Sequence, residues 1–463
     1  MNQNPEELSD TIVALSTPPG RSAIGLIRMS GPEALAITKR VFRLPDTKDL
    51  HHRLAVYGQV IHPESRQILD DGVVVFMRGP HSYTGEDLVE IGLHGSPLVL
   101  ETVVRILTQE GARLAERGEF TRRAFLAGKM DLMQAEAVID LIEAHSLSAA
   151  QEARVRLDSS MMPLKDLSDA LKDNLALIEA HIDFDEDDEY QLPDVLPAIR
   201  NVLSRMETVR RYSEKALIIR KGIQVCIAGK PNVGKSTLFN ALLRNERTIV
   251  SPIPGTTRDT VEDRIILGSH ALALWDTAGV RESGSIVENE GIKRTLDTIE
   301  KAHLVVAVVD GTTGIDQFDE AILKTCTSKN LVLVVNKMDL VVDGNAMDSL
   351  VMKVERPTAF ISAKTGQGMA ALEDLLVEQI DAMTSCGESE GSVALNSRCL
   401  QLLNAASAPL ERIRNLFGEG VTPSPEIIAY EIRCALSLLE EMTGERVDDG
   451  VLDRIFERFC VGK

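Results

Sequence analysis

Short apolar runs bounded by turn residues open the chain, and residues 11–15, 24–29, 72–77 and 88–93 read as strands, with a helix at 97–109. This mixture predicts an α+β domain over residues 1–120. From Leu132 the period becomes helical: Leu132, Ala135, Ile139 and Ile142 recur at helix spacing, and Leu164, Leu167, Leu171, Leu175, Ile178 and Ile182 advance in steps of three or four. Such stripes are core seams rather than cofactor boxes. Strand-like apolar runs return at 221–228, 271–275 and 331–335, with a helix expected over 237–243, so 218–383 reads as an α/β domain. Helical periodicity resumes at 396–417 and through Ile428, Ile432, Ala435 and Leu439. The helical stretches 121–217 and 384–463 each carry apolar stripes that they cannot easily bury alone. The economical arrangement inserts 218–383 into one helical domain made of both halves. The expected fold class is therefore multi-domain α/β plus α: an N-terminal α+β domain, a central helical domain and an inserted α/β domain.

Length agrees, since 463 residues suggest roughly three domains of about 150 each. The net charge of -20 argues against a broad nucleic-acid clamp, so any RNA contact must be local or shared with a partner. The six cysteines show no CxxC pair and no zinc spacing, which suits a reducing cytoplasm with mostly buried thiols. No signal segment and no run approaching the roughly 18 apolar residues of a membrane span is read, so a cytoplasmic protein without membrane contact is expected. The acidic stretch 183–189 lacks a calcium-loop pattern and reads as a solvated turn.

Candidate chemistry lies in four ordered motifs within 218–383. GKPNVGKS, residues 229–236, stands between a strand-like run and a helix, the setting a phosphate-binding loop requires. Asn232, Val233, Gly234, Lys235, Ser236 and Thr237 can surround the phosphates, Lys235 reaching the β/γ-phosphates and Ser236 offering a hydroxyl to Mg²⁺. DTAG follows, with Asp276 at a strand's end able to hold Mg²⁺ through water, Thr277 and Ala278 next, and Gly279 offering its N–H to a γ-phosphate. In NKMD, Asn336, Lys337 and Asp339 can receive a purine base. The Asp339 carboxylate accepts paired hydrogen bonds from guanine N1–H and the amino group, which favours GTP over ATP. Ser362, Ala363 and Lys364 would close over that base. Between the first two motifs, the run Gly255, Thr256, Thr257 reads as a first switch in which Thr257 supplies a second Mg²⁺ hydroxyl. Val280 stands where regulatory GTPases place a water-orienting glutamine, so the catalytic group must lie elsewhere. Together the motifs specify a guanine-nucleotide switch in a Ras-like P-loop GTPase domain.

GKPNVGKS, GTTRD, DTAGVRE and the terminal CVGK resemble the MnmE (TrmE) family of tRNA modification GTPases, nearly end to end. The resemblance implies K⁺-stimulated hydrolysis, with K⁺ held by Asn232 and by backbone carbonyls of Ser251, Ile253 and Thr256, in a loop that here contains Pro252 and Pro254. It implies Glu288, twelve residues after Asp276, as the residue that positions water beside the phosphoryl-stabilising Lys235. It also implies a tetrahydrofolate derivative (5,10-methylene- or 5-formyl-) bound by Arg28, Glu90, Lys129 and Lys463, in an N-terminal domain that also dimerises. On local pattern alone the stretches 17–21 and 83–87 are turns, and Cys460 is either reactive or buried. The implied partners are a second copy of the chain, forming a homodimer, an FAD-dependent MnmG-like flavoprotein in a heterotetramer, and tRNA. The implied activity is addition of a carboxymethylaminomethyl or aminomethyl group at C5 of wobble uridine U34. The alternative is a GTP-gated ribosome or RNA assembly factor, against which stands the lack of a basic RNA-binding module.

Overall fold

A computed structural model of the chain describes residues 10–45, 49–159, 161–183, 194–245, 263–276, 298–326, 329–341, 356–385, 393–421, 423–446 and 448–463. The chain divides into two compact units: Met1–Ile139, Arg156–Val202 and Leu402–Lys463 form one, Asp140–Val155 and Leu203–Gln401 the other.

The first unit is built on strands β1 (Ile12–Leu15), β2 (Ser22–Ser30), β3 (Phe42–Arg43), β4 (Ala55–Ile61), β5 (Ile68–Met77), β6 (Leu88–Gly95) and β7 (Arg113–Leu114). They form one sheet in the order β3-β4-β5-β6-β2-β1-β7. Neighbours run antiparallel except β1 and β7. Alternation along β2 and β6 turns Ile27, Met29, Val89 and Ile91 into a core shared with the helices Ala34–Val41 and Pro97–Gln109. The same alternation turns Arg28 and Glu90 to the other face, where they stand in register. The helix at 97–109 matches expectation. Strand β4 and the helix Ala34–Val41 were not expected, because Gly58 and Gln59 interrupt the alternation of the first and the eight-residue helix is too short to display a period.

Further along, the helix Met162–Asp183 packs beside Pro425–Thr443, with Leu164, Leu167, Leu171 and Ile178 buried on one and Ile428, Ile432, Ala435 and Leu439 on the other. Leu175 and Ile182 are half-buried at the seam's margin. Ion pairs flank the contact, Lys172–Glu440 at 3.3 Å and Arg433–Glu179 at 2.6 Å. In the helix Leu132–Ile142, Leu132, Ala135 and Ile139 are buried, whereas Ile142, expected in the same seam, is 53% exposed. It is the last residue of the helix, beyond the turns that pack.

The second unit holds β8 (Ile223–Ala228), β9 (Asp263–Leu267), β10 (His270–Asp276), β11 (Leu304–Asp310), β12 (Asn330–Asn336) and β13 (Thr358–Phe360), ordered β13-β12-β11-β8-β10-β9. All pairs are parallel except β9 with β10. Ile223, Val225 and Ile227 of β8 enter one hydrophobic core and Cys226 and Ala228 the other, so both faces of the sheet are covered. That explains strands that read as unbroken apolar runs instead of alternating ones. Sheets and helices of both kinds fit a multi-domain α/β protein. Cys226, Cys326 and Cys399 are buried, Cys434 is half-buried and Cys460 is exposed; Cys386 lies outside the described residues. Among the described residues no helix is long and apolar enough to cross a membrane.

Candidate functional site

Because β8, β10, β11 and β12 run parallel, their C-terminal residues Ala228, Asp276, Asp310 and Asn336 come to one edge of the sheet. In an open α/β sheet that edge is where ligands bind. The phosphate loop leaves β8 there and feeds the helix Lys235–Asn245. Gly234 has φ +100°, and a Cβ on it would collide with the side-chain amide of Asn336, so a side chain is excluded on two counts. Asn232 also adopts a left-handed φ of +64°. Val233 is buried, which seats the loop on the core, while Asn232, Ser236 and Thr237 are exposed.

Lys235 was expected to reach outward to phosphates. Here its Nζ donates to the carbonyls of Gly229 at 2.9 Å and Lys230 at 2.7 Å, so the ammonium lies within its own loop.

Asn336 joins three of the motifs. Its Nδ2 donates to the Val233 carbonyl at 2.8 Å, and its Oδ1 accepts from the Ala363 N–H at 3.0 Å. At 3% exposure it ties the phosphate loop and the Ser362–Ala363–Lys364 turn to the end of β12. Lys337, at φ +67°, donates through Nζ to Asp310 Oδ2 at 2.6 Å. Asp310 also accepts from the Thr312 N–H and hydroxyl at 2.9 and 2.6 Å. Burial alone would raise the Asp310 carboxyl, but Lys337 and Thr312 more than offset it and hold it below the ordinary carboxylate range. Asp339 lies exposed on the short turn Met338–Leu340. Ser362 and Ala363 are buried and Lys364 is exposed. Asp276 closes β10 beside Ile227, its side chain outside the described residues. Ser251, Pro252, Ile253, Pro254, Gly255, Thr256, Thr257, Thr277, Ala278, Gly279 and Glu288 also lie outside them.

The first unit holds the second candidate set. Arg28 binds Glu90 Oε1 through Nη2 at 2.7 Å and Nε at 3.0 Å, and its Nη1 is 3.5 Å from the Gly462 carbonyl. Its guanidinium lies 5.4 Å from the Tyr83 ring centre and 5.8 Å from that of Phe120, within cation–π range. Gly462 takes φ +95° with β1 so close that a Cβ would lie 2.8 Å from the Ser16 Cα. That approach brings Lys463 to Arg28 and Glu90: burial and then the Arg28 charge lower its ammonium pKa, against the pull of Glu90. Lys129 lies along Gly85, its Cε 3.5 Å from where a Cβ on that glycine would sit. Two cations beside a carboxylate suit an anionic ligand that also offers hydrogen-bonding edges. Phe120 and Asp310 were missed, and Tyr83 was read only as part of a turn. Asp310 had a signal, since it ends the fully apolar run LVVAVV of β11.

A largely parallel sheet covered on both faces, with the loop GKPNVGKS leaving β8 at the edge where such sheets bind ligands, is the architecture of a P-loop nucleotide-binding protein. The family model described as "GTP-binding protein TrmE N-terminus" matches residues 11–129, and "MnmE helical domain" matches 132–460. The tRNA modification GTPase MnmE of Geotalea uraniireducens (strain Rf4) is 40% identical over 461 residues, covering 98% of this chain and 100% of that protein. The protein of the same name from Synechocystis sp. (strain ATCC 27184 / PCC 6803 / Kazusa) is 36% identical over 463 residues, covering 99% and 100%. Among solved structures, the G domain of the T. maritima FeoB iron transporter is 27% identical and covers 34% of this chain and 98% of that one, at a TM-score of 0.26. The chain belongs to the MnmE (TrmE) family of tRNA modification GTPases. It is accordingly a GTPase in tRNA modification, which disfavours the assembly-factor alternative.

Proposed function

We propose that GTP hydrolysis by this chain drives a conformational cycle in a wobble-uridine modification complex. With an FAD-dependent MnmG-like partner, the complex adds a carboxymethylaminomethyl or aminomethyl group at C5 of U34 in certain tRNAs, drawing one carbon from a tetrahydrofolate derivative. The protein works in the cytoplasm as a homodimer that joins the flavoprotein in a heterotetramer. Its domains are 1–120 for folate binding and dimerisation, 121–217 with 384–463 as the helical domain, and 218–383 as the inserted G domain.

The observation that carries the nucleotide part is the Asn336 bridge between Val233 and Ala363, which sets phosphate loop and base motif at a fixed spacing. Asp339 takes the guanine edge from its exposed turn, and Lys364 lies over the base. Ser236 and Thr257 would hold Mg²⁺; the exposed Ser236 hydroxyl on the first turn of its helix fits a hard cation. Asn232 with Ser251, Ile253 and Thr256 would hold K⁺, a role that fits an exposed amide on a left-handed backbone. Bound cations supply positive charge to the transferring phosphoryl group. Lys235 leaves its loop carbonyls to meet the β/γ-phosphates, Gly279 offers its N–H to the γ-phosphate, and Glu288 orients the attacking water. Arg28, Lys463 and Lys129 hold the anionic parts of the folate, and Glu90 accepts from its ring edge.

The test compares GTPase rates in K⁺ and in Na⁺, together with wobble-uridine nucleosides from cells lacking the protein. K⁺ should accelerate hydrolysis, Asn232→Ala should abolish the difference, and the modified nucleoside should vanish. Equal rates in the two salts would end the potassium assignment, and an unchanged nucleoside profile would end the pathway assignment.

A further inference from the structure

Arg28 commits Nε and Nη2 to one oxygen of Glu90, and its Nη1 reaches only a long 3.5 Å contact with the Gly462 carbonyl. An anionic ligand therefore meets a guanidinium on a flexible stem, and affinity depends on how firmly that stem is held. Tyr83 and Phe120 are the rings within cation–π range of it. Phe120 is fully buried in a small core with Ile12, Ala14 and Ala115, whereas Tyr83 packs half-buried at the margin of that core. The phenol senses Arg28 in return: burial raises its pKa, and the Thr121 hydrogen bond and the Arg28 charge oppose that rise.

Tyr83 reaches Arg28 from a loop, residues 82–87, that is tied down at several points. Its hydroxyl lies 2.9 Å from that of Thr121, a fully buried residue of the helix Glu119–Leu126. From the same helix, the buried Arg123 guanidinium donates to the two oxygens of Glu86 at 3.3 and 3.2 Å. Ser30, on β2 with Arg28, donates to Glu86 Oε2 at 2.7 Å, and its hydroxyl lies 2.7 Å from that of the fully buried Thr84. The loop is thereby fastened both to the strand that carries Arg28 and to the helix that carries Phe120. Within it Gly85, at φ +84°, borders Lys129. A ring in so constrained a loop has already lost the freedom that binding would otherwise have to remove.

We propose that Tyr83 is a positioning residue of the anion site: its ring, fixed by the clamped loop, holds the Arg28 guanidinium where the anionic group of a ligand meets it. This rests on the folate reading above. Tyr83 acts through Arg28 and not through a contact of its own with the ligand.

The full-length protein is tested by equilibrium dialysis with 5-formyltetrahydrofolate, as Tyr83→Leu and Tyr83→Phe, each alone and combined with Arg28→Ala. Tyr83→Leu alone should weaken binding about fivefold, and by less than about twofold once Arg28 is absent, because its effect passes through that residue. Tyr83→Phe keeps the ring and should bind within about twofold of the parent, although loss of the Thr121 contact lowers its Tm. If Tyr83→Leu does not fold, Tyr83→Met, which also lacks an aromatic face and adapts to irregular space, takes its place with the same expectations. Parental affinity in the variant without a ring, or an equal loss with and without Arg28, would overturn the proposal. A folded Tyr83→Phe that binds as poorly as Tyr83→Leu would overturn it too. Failure of the parent protein itself to bind 5-formyltetrahydrofolate would retire the folate reading instead.

Discussion

In the parallel sheet, β8, β10, β11 and β12 deliver Ala228, Asp276, Asp310 and Asn336 to one edge simply because they run the same way. In the antiparallel sheet, Arg28 meets Glu90 only because β2 and β6 hold one particular register, and Lys463 joins them only because the chain end returns to β1. The first site is assembled by topology and then tuned by short local motifs. The second consists almost wholly of partners remote in sequence, 62 residues apart for Arg28 and Glu90 and 434 for Arg28 and Gly462. A site of the first kind announces itself in sequence, since each motif has a backbone task of its own. A site of the second kind is a set of ordinary charged residues until the sheet forms.

This contrast predicts where single substitutions hurt most. Asn336→Ala should be the most damaging, because it leaves the Val233 carbonyl and the Ala363 N–H buried without their partner, at about 1–3 kcal/mol each. GDP affinity measured by calorimetry should fall by about a hundredfold or more, with a lowered Tm; a smaller loss than that of Arg28→Ala at its own site would invert the comparison. Arg28→Ala should come next. It removes a two-pronged contact to Glu90 in a pair that is only 14% and 23% exposed, so stability should drop by about 1–3 kcal/mol. Binding of a tetrahydrofolate derivative, measured by equilibrium dialysis, should weaken about tenfold, and GTP turnover should stay unchanged. Altered GTP turnover would show that the two sites are not separable in this way.

Asp310→Asn should have the smallest effect, a stability difference that is seen above about pH 4 and closes in acid. Since the folded Asp310 carboxyl titrates below its unfolded value, its stabilisation is complete above about pH 4 and is lost as the pH falls through the folded value. Thermal melts between about pH 2 and pH 6 should therefore be flatter for Asp310→Asn than for the parent, with the parent more stable at the upper end. Parallel melting curves would show that the Lys337 contact contributes nothing to stability.

Much of the nucleotide edge was readable beforehand. The runs at 221–228, 271–275 and 331–335 fall on β8, β10 and β12, and the helix begins at Lys235, in the phosphate loop. β11 went unnoticed although it is buried at every position, because an apolar run without a motif does not distinguish a strand from a core helix. Asp310 was missed with it. In the first unit, β2 and β6 were legible from alternation, which also assigns Arg28 and Glu90 to the face away from the core. Their contact was not legible, because alternation says which face a residue takes and not which strand lies beside it.

By itself, the order of residues determined the strand-loop-helix turn at GKPNVGKS, the exposed turn that carries Asp339 and the seams of the long helices, since each is written within one or two turns of backbone. Tertiary structure alone decided that Asn336 would hold three motifs together, that Lys230 would face Asp316 and Asp319, and that Lys463 would return to Arg28. The physical reason is range: backbone conformation and hydrophobic period are properties of neighbouring residues, whereas a charge finds its counter-charge only after burial and sheet register have chosen what lies within about 3 Å of it.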